Sequence, residues 1–323
     1  MSVPFEPGSI VLGLHAPSGL DPIRQVEVMI AQGIAAEAAG FDGVTVSEHH
    51  AGFPGYLPQP LLMASWILGE THALWAGPGP LLLGPRNPAL VAEELAWTSV
   101  RFPGRFGAVL APGYAVSDFA ALGVPEERMR AFPGLVTQVL AALSADGSLA
   151  ADAAVAAWAA APPPLLVAAN GRKAVQRAAV AGLGIMFGGG HGPHQLGETA
   201  EHYRECGGSG PVLGLRPMWL GRIPETEQSR EAARAYAAIG AATKGGAPSS
   251  GSPEQVVEEV AQWVRQAKVD CLNVRLHVPG VEPAVVADQI ARVGAEVLPA
   301  LRRRFPPIRA TPVSAPRDGG SGA

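Results

Sequence analysis

The residues best suited to chemistry in this sequence are histidines that stand where apolar segments give way to polar ones. Glu48, His49 and His50 form one run at the end of the apolar segment that begins at Gly43. Imidazole changes charge near neutral pH, so it can move a proton or bind a metal. Further histidines occupy comparable positions along the chain: His15, His191, His194 and His277. This distribution predicts one site to which several segments contribute.

The segments that would position these histidines alternate between short apolar runs and amphipathic stretches of helical period, which is typical of parallel βα units. Eight strands are predicted, at 9–17, 43–50, 74–84, 105–114, 165–170, 182–190, 212–221 and 271–280. The helices predicted between and after them include 21–39, 60–68, 88–99, 126–143 and 283–305. An alanine-rich segment, 144–164, is expected to act as a connector, with a frayed helix that leads into a rigid Pro segment as one form it could take.

Strict βα alternation fits a closed barrel or an open doubly wound sheet. The first strand is not followed by the GxGxxG pattern that commonly marks the open sheet. We therefore predict an α/β fold, a single (β/α)8 TIM barrel over residues 1–305. The segment 306–323 is rich in Pro, Gly and Ser, so a disordered tail is expected there.

Composition narrows the class of protein. The chain has 323 residues, of which 48% are hydrophobic and 16% charged, with a net charge of −4. This balance does not favour nucleic acid or an anionic membrane surface as a partner, so a small-molecule substrate is expected. Cys206 and Cys271 are too few for a disulfide framework. The N-terminal residues lack a leader pattern, and we expect a cytoplasmic protein.

A metal site is the first function to weigh for histidines at the end of a barrel. Such sites also need carboxylates at the strand ends, but the fourth predicted strand ends in Ala111-Pro112-Gly113 and the eighth ends without an aspartate. We therefore predict no metal site. Glycines near the ends of strands three, four and six, including Gly79, Gly113, Gly188 and Gly189, allow close approach of a flat ligand instead.

The turn Asn170-Gly171-Arg172-Lys173 stands where the fifth strand leads into a helix. Free backbone N–H groups, the helix dipole and two cations could hold a phosphate at such a helix start. An ordinary strand-to-helix turn with surface cations would have the same sequence. Both interpretations stay open at this point.

Several blocks of the sequence, in order, resemble the luciferase-like monooxygenase family. They comprise Ala35 to His50, Gly55 to Ser65, Gly84 to Phe106, Pro112 to Met129, Pro163 to Ala179 and Gly251 to Val260. The resemblance implies a bacterial-luciferase-like barrel that binds reduced FMN, or in a sister branch a 5-deazaflavin coenzyme, at its mouth. It also implies a separate flavin reductase and a homodimer, which the apolar segments 60–69 and 89–97 would form.

The resemblance also assigns roles to residues. His49 would act on a proton beside the flavin, with His50 and Glu48 as its catalytic neighbours, and His15 and Tyr114 would contact the cofactor. Asn170, Gly171, Arg172 and Lys173 fall on the family's phosphate-binding turn. Gly79-Pro80 corresponds to a strand-three bulge whose peptide is often cis, which proline adopts at low cost. Ala111-Pro112 replaces an arginine or a glycine-rich run of many relatives, so one flavin contact of those relatives is absent.

The sequence leaves open which of two cofactors is bound and whether the barrel is catalytic or binds flavin without turnover. Reduced FMN reacts with O2, whereas a 5-deazaflavin transfers only hydride. The Glu-His-His run resembles the FMN branch more closely, so we predict an FMN-dependent monooxygenase. The alternatives are a deazaflavin-dependent hydride-transfer oxidoreductase and a degenerate barrel that binds flavin without turnover.

Overall fold

A computed structural model describes residues 3–188, 191–238 and 248–305, and these residues build a parallel β-barrel surrounded by helices. The strands are β1 (Ile10–Leu14), β2 (Gly43–Val46), β3 (Trp75–Pro78), β4 (Leu81–Leu82), β5 (Ala108–Ala111), β6 (Leu165–Ala168), β7 (Gly184–Met186), β8 (Val212–Leu220), β9 (Ser249–Gly251) and β10 (Cys271–Arg275). They pair in the order β3-β2-β1-β10-β8-β7-β6-β5-β4, with β9 added beside β8.

The third barrel strand consists of β3 and β4, which are separated by a cis peptide between Gly79 and Pro80. β4 pairs with β5, and an isolated parallel bridge between Ala76 and Phe106 joins β3 to the segment before β5. These contacts bring the two ends of the sheet together. The predicted (β/α)8 barrel is confirmed.

The helices are α1 (Pro22–Ala38), α2 (Pro60–Glu70), α3 (Pro88–Arg101), α4 (Val116–Ala121), α5 (Phe132–Ala142), α6 (Ala153–Ala160), α7 (Arg172–Val180), α8 (Pro193–Glu205), α9 (Glu227–Ala238), α10 (Pro253–Ala267), α11 (Pro283–Arg292) and α12 (Leu298–Arg304). Most begin with a proline in the first turn, where the missing N–H costs no hydrogen bond. None of the helices in the described part of the chain is both long and apolar enough to cross a membrane.

The floor of the barrel is closed by side chains that alternate along the strands. Val11, Trp75, Val109, Leu166 and Leu213 belong to one buried cluster with Phe5 of the N-terminal segment. Gly43 stands beside Trp75, and a Cβ there would lie 2.3 Å from the indole ring. The N-terminal end of the barrel is therefore packed. The next inward-facing residues along each strand lie closer to its C-terminal end.

Two segments differ from the sequence prediction. The connector 144–164 contains α6, which an Asp152 side chain caps and which buries Val155 and Trp158 against neighbouring helices. Its alanine-rich composition indicates at most a frayed helix, because Ala on every face produces no amphipathic period. The helix predicted over 126–143 is instead a short 3-10 turn at Glu126–Met129 followed by α5. The tail predicted at 306–323 lies outside the described residues.

Candidate active site

A cavity of about 1460 Å³ opens where the barrel strands end, and it extends between α5 and α7. Its lining includes residues at or just past the carboxyl ends of β1, β2, β5, β6, β7 and β10. This is the end at which barrel enzymes carry their chemistry. The volume exceeds the roughly 300–1,000 Å³ of common small-molecule sites, so there is room for a cofactor together with a substrate.

Eight of the residues predicted for the site line this cavity: His15, Glu48, His49, Pro80, Gly113, Tyr114, Asn170 and Gly188. Of the others, His50, Gly79, Gly171, Arg172 and Lys173 are not part of the lining in the described structure. Gly189 lies outside the described residues. These eight residues therefore lie together at one cavity, and the roles predicted for them stay predictions.

His49 is the best-positioned group for proton transfer. Its Nδ1 lies 2.8 Å from Oδ2 of Asp118, which is fully buried in the first turn of α4. The second carboxylate oxygen of Asp118 accepts a hydrogen bond of 2.9 Å from the backbone N–H of His50. Because the carboxylate accepts at Nδ1, that nitrogen carries the proton and Nε2 is left to face the cavity.

Tyr114 stands opposite the other side of the His49 ring, with its hydroxyl 3.1 Å from Nε2. Although Tyr114 is 48% exposed, partial desolvation, followed by the nearby Tyr56, raises the pKa of its hydroxyl, so the phenol stays protonated at neutral pH. It can therefore donate to the lone pair of a neutral His49. The result is a line of three groups, carboxylate, imidazole and phenol, that ends in the cavity.

Glu48 and His50 form a separate buried network beside this line. Oε1 of Glu48 lies 2.7 Å from Nε2 of His50 and accepts from Nη1 of Arg86 at 2.6 Å. Oε2 accepts from the backbone N–H of Leu82 at 2.7 Å. These contacts fasten β4 and the following loop to the end of β2. Their geometry gives Glu48 and His50 a task in holding the cavity wall, and their predicted catalytic role stays a prediction.

The opposite wall, at the ends of β1 and β10, carries His15, Arg275 and His277. The two imidazole rings stack with their planes 9° apart and their centroids separated by 4.8 Å. Burial, reinforced by the charge of Arg275, lowers the pKa of His277 to about 4, and the same two causes hold the pKa of His15 well below its usual range. Both rings are therefore neutral at pH 7.

Aromatic rings form the entrance between these two walls. Phe53 stacks on His49, and Tyr56 meets the same ring edge-on. The hydroxyl of Tyr56 is hydrogen-bonded to that of Tyr236, which α9 brings over the cavity. Flat apolar surfaces of this kind favour a planar ligand.

The predicted phosphate-binding turn leads from β6 into α7. Asn170 accepts a hydrogen bond of 3.0 Å from the backbone N–H of Gly188, which ties the turn to the end of β7. α7 begins after Gly171 without a side-chain cap, so its first backbone N–H groups have no side-chain acceptor. Arg172 donates to His202 at 3.0 Å. The helix start is thus available to an anion.

The sequence prediction missed several groups of this site, among them Asp118, Phe53, Tyr56, Tyr236 and Arg275. Arg275 could have been predicted from the sequence. Alternate residues of a strand share a face, so positions 273, 275 and 277 all point into the barrel. Asp118 and Tyr236 reach the cavity from helices. Their positions depend on how those helices pack, and no local pattern reports that.

Comparison with known proteins decides the family. The model of the family described as luciferase-like monooxygenase matches residues 8–211, well over half of the chain. The chain belongs to this family. Among curated proteins, the alkanal monooxygenase alpha chain of Photorhabdus luminescens is 30% identical over 127 residues, which are 38% of this chain and 34% of that one.

An F420-dependent glucose-6-phosphate dehydrogenase of Beutenbergia cavernae is 30% identical over 188 residues, covering 53% of this luciferase-like chain and 55% of that protein. The chain therefore matches about a third to about half of the length of these two curated relatives. A solved structure, the oxygenating constituent of 3,6-diketocamphane monooxygenase from Pseudomonas putida in complex with FMN, superposes with a TM-score of 0.69. That likeness spans 93% of this chain and 98% of that one at 16% identity, and it shows the fold.

Proposed function

We propose that this luciferase-like chain is a flavin-dependent monooxygenase that uses reduced FMN and O2 on a small organic substrate. The observation that carries the proposal is the line Asp118, His49 and Tyr114, which ends in a large cavity at the strand ends. A buried carboxylate that orients an imidazole toward open space is a common arrangement for a proton-transfer group. The same carboxylate also holds the backbone N–H of His50, so the imidazole is kept in one orientation toward the cavity.

The residues present fit a flavin that carries a phosphate. The uncapped start of α7 and the amide of Asn170 suit the phosphate group, as helix N-termini suit anions generally. Pro80 and Gly113 line the cavity with small surfaces that a flat ring can approach. Ala111 and Pro112, which replace an arginine or glycine-rich run of many relatives, line it too and add no polar contact.

When bound, reduced FMN would supply the electrons with which O2 is activated. The chain's own residues then have definite tasks. Asp118 keeps the proton of His49 on Nδ1, so Nε2 can take the proton of the Tyr114 hydroxyl while that hydroxyl takes one from the reacting atoms, and the transfer can run in reverse. Tyr114 supports the ring through its hydroxyl. Phe53 and Tyr56 cover the imidazole and exclude water from it.

A deazaflavin-dependent oxidoreductase is the second candidate, favoured by the relative from Beutenbergia cavernae, whose name states F420 dependence. Anaerobic titration with each reduced cofactor distinguishes the two. We expect reduced FMN to bind in the micromolar range or tighter and to be consumed when O2 is admitted. Binding of the reduced deazaflavin alone would overturn the FMN proposal.

A barrel that binds flavin without turnover is the remaining alternative, and His49→Ala tests it. A catalyst keeps its flavin affinity and loses turnover in this variant, whereas a binding protein has no turnover to lose.

We also propose that a separate flavin reductase supplies the reduced cofactor. Turnover should then depend on an added reductase, and NADH-driven turnover by the purified chain alone would contradict this.

We further propose a homodimer formed through α2 and α3. Leu62 and Trp66 on α2, with Leu90 and Trp97 on α3, are large apolar side chains exposed on the described surface. Contiguous apolar surface of this kind commonly marks an interface. Sedimentation should show a dimer that the pair Leu62→Glu and Trp66→Glu dissociates, while Val180→Glu on α7 leaves it intact. A monomeric wild-type protein at micromolar concentration would refute the dimer.

A further inference from the structure

The wall formed by β1 and β10 holds polar atoms that have no partner within the described structure. Three of them line the cavity, namely Nδ1 of His15, Nε of Arg275 and Nε2 of His277, each buried and without a hydrogen bond, whereas the unpaired Oδ1 of Asn273 on β10 belongs to a residue outside the lining. Buried polar groups are nearly always paired, so three unpaired nitrogens beside one cavity call for an explanation. An acceptor that enters the cavity from outside the chain would provide it.

These nitrogens converge because of how the two strands are built. Arg275 and His277 alternate inward along the end of β10, and His15 follows directly on β1, which pairs with β10. All three line the cavity. Gly55 of the loop after β2 comes close to His277, since a Cβ there would lie 3.2 Å from Nε2. The cluster is thus enclosed by neighbouring segments.

Within the described part of the chain, Arg275 has no counter-ion: no carboxylate lies within 4.0 Å of it. Its only hydrogen bond among these residues is a long one of 3.4 Å from Nη2 to the hydroxyl of Ser47. The two buried carboxylates on the other side of the cavity are already engaged, Asp118 by His49 and Glu48 by Arg86. A half-buried guanidinium in this setting attracts an anion.

The shape of the surroundings restricts which anion fits. Tyr56 packs edge-on against His15 with ring centroids 5.1 Å apart, and Phe53 and Tyr236 continue the aromatic surface. A guanidinium binds a carboxylate in its own plane, and aromatic side chains that line the same cavity favour a flat ligand. We propose that Arg275, with His15 and His277, binds the carboxylate of an aromatic acid that is the substrate.

This site is separate from the place that suits the cofactor phosphate. In the order of strands around the barrel, β1 stands opposite β6, so the cluster faces the turn at Asn170 across the cavity. A ligand held at one wall leaves the other free. The inference rests on the proposed function only in calling the bound acid a substrate.

Calorimetric titration of the purified full-length chain with benzoate, without added flavin, tests the proposal. Benzamide serves as the uncharged ligand of the same shape. We expect benzoate to bind and Arg275→Gln to weaken it by about 10- to 100-fold, the usual effect of losing a charge-assisted hydrogen bond. Benzamide should bind more weakly and respond little to the substitution.

Arg222→Gln is the matched control, because Arg222 is an exposed arginine that follows β8 and does not line the cavity. It should leave benzoate affinity unchanged. Should Arg275→Gln fail to fold, His277→Gln at the half-buried end of the cluster replaces it, with an expected loss of several-fold. Circular dichroism of each variant identifies which of them to use.

Three results would overturn the proposal. One is a wild-type protein that does not bind benzoate at millimolar concentration; another is equal benzoate affinity in the wild type and the folded variant. The third is a variant that keeps benzoate but loses FMN, which would assign the cluster to the cofactor. Failure of the wild type to bind either cofactor refutes the proposed function instead, and leaves the benzoate result standing.

Discussion

Nδ1 of His49 lies 2.8 Å from a carboxylate oxygen of Asp118, although 69 residues separate the two in the sequence. Asp118 is fully buried, and its other oxygen holds the backbone of His50. The contact therefore fixes both the orientation of the ring and the conformation of the chain that carries it. It also determines which ring nitrogen faces the cavity.

Asp118→Asn should lower turnover while leaving the barrel folded. An amide of the same shape can accept from the His50 N–H only by presenting its own N–H to His49. The imidazole then carries its proton on Nε2 and can no longer accept one from the cavity. Loss of a proton-transfer group typically costs about 10²–10⁴ in rate. Turnover is measured with a reductase system, and FMN affinity by fluorescence.

The control for this variant is Asp288→Asn, which changes an exposed aspartate of α11 in the same way. Its turnover and melting temperature should match the wild type. Equal activity of Asp118→Asn and the wild type across pH 6–9 would show that the contact with Asp118 does not serve proton transfer.

Glu48→Gln should destabilise the protein more than it slows each catalytic step. The amide cannot accept from Arg86, His50 and Leu82 together, so at least one buried donor is left opposite an N–H group. An unsatisfied buried group costs about 1–3 kcal/mol. Urea unfolding measures the loss. Glu231→Gln, at an exposed position of α9, should cost nothing, and equal midpoints for the two variants would refute this role of Glu48.

Much of the fold could be predicted from the sequence because its signals are local. Asp21 caps α1 by accepting from Ile23 and Arg24, and Gly40 ends the same helix at positive φ, as the residue types indicate. α6 could not be predicted in the same way. Its buried face is defined by packing against α3, and a run of alanines does not show which side that is.

The site was predictable to the extent that it follows strand ends. His49 and His15 stand there, and alternation along β10 would have added Arg275. Asp118 and Tyr236 come from helices after β5 and β8, and their approach depends on the tertiary arrangement of those helices. Residues of this kind need the fold before they can be assigned.

Gly43→Ala should test the packing of the barrel floor. The new methyl group would stand 2.3 Å from the Trp75 ring, which is completely buried and cannot move aside. Overpacking of this sort costs about 1–3 kcal/mol. Gly134→Ala in α5, where a Cβ meets nothing within 4 Å, should leave stability equal or slightly higher.

The double variant Gly43→Ala with Trp75→Leu tests the cause. Since the smaller side chain makes room for the methyl group, the two changes should destabilise less together than the sum of their separate effects. Strictly additive effects in urea unfolding would mean that the strain arises elsewhere than at this contact.

The stability of the wild type should fall as pH decreases from about 6.5 toward 4, and His277→Gln should reduce that fall. Burial and the charge of Arg275 hold the pKa of His277 at about 4 in the folded chain, while a histidine of the unfolded chain titrates near 6.5. Between these values the unfolded state binds a proton that the folded state does not, so acid favours unfolding. The expected contribution is up to about 1.4 kcal/mol per pH unit within that window, and none above it.

Urea unfolding at half-unit steps of pH compares the variant with the wild type and with His72→Gln at an exposed position. His15 acts in the same direction, so some slope should persist in His277→Gln. Parallel curves for wild type and His277→Gln would mean that the pKa of His277 is the same in the folded and the unfolded chain, and would contradict the effect ascribed to burial and Arg275.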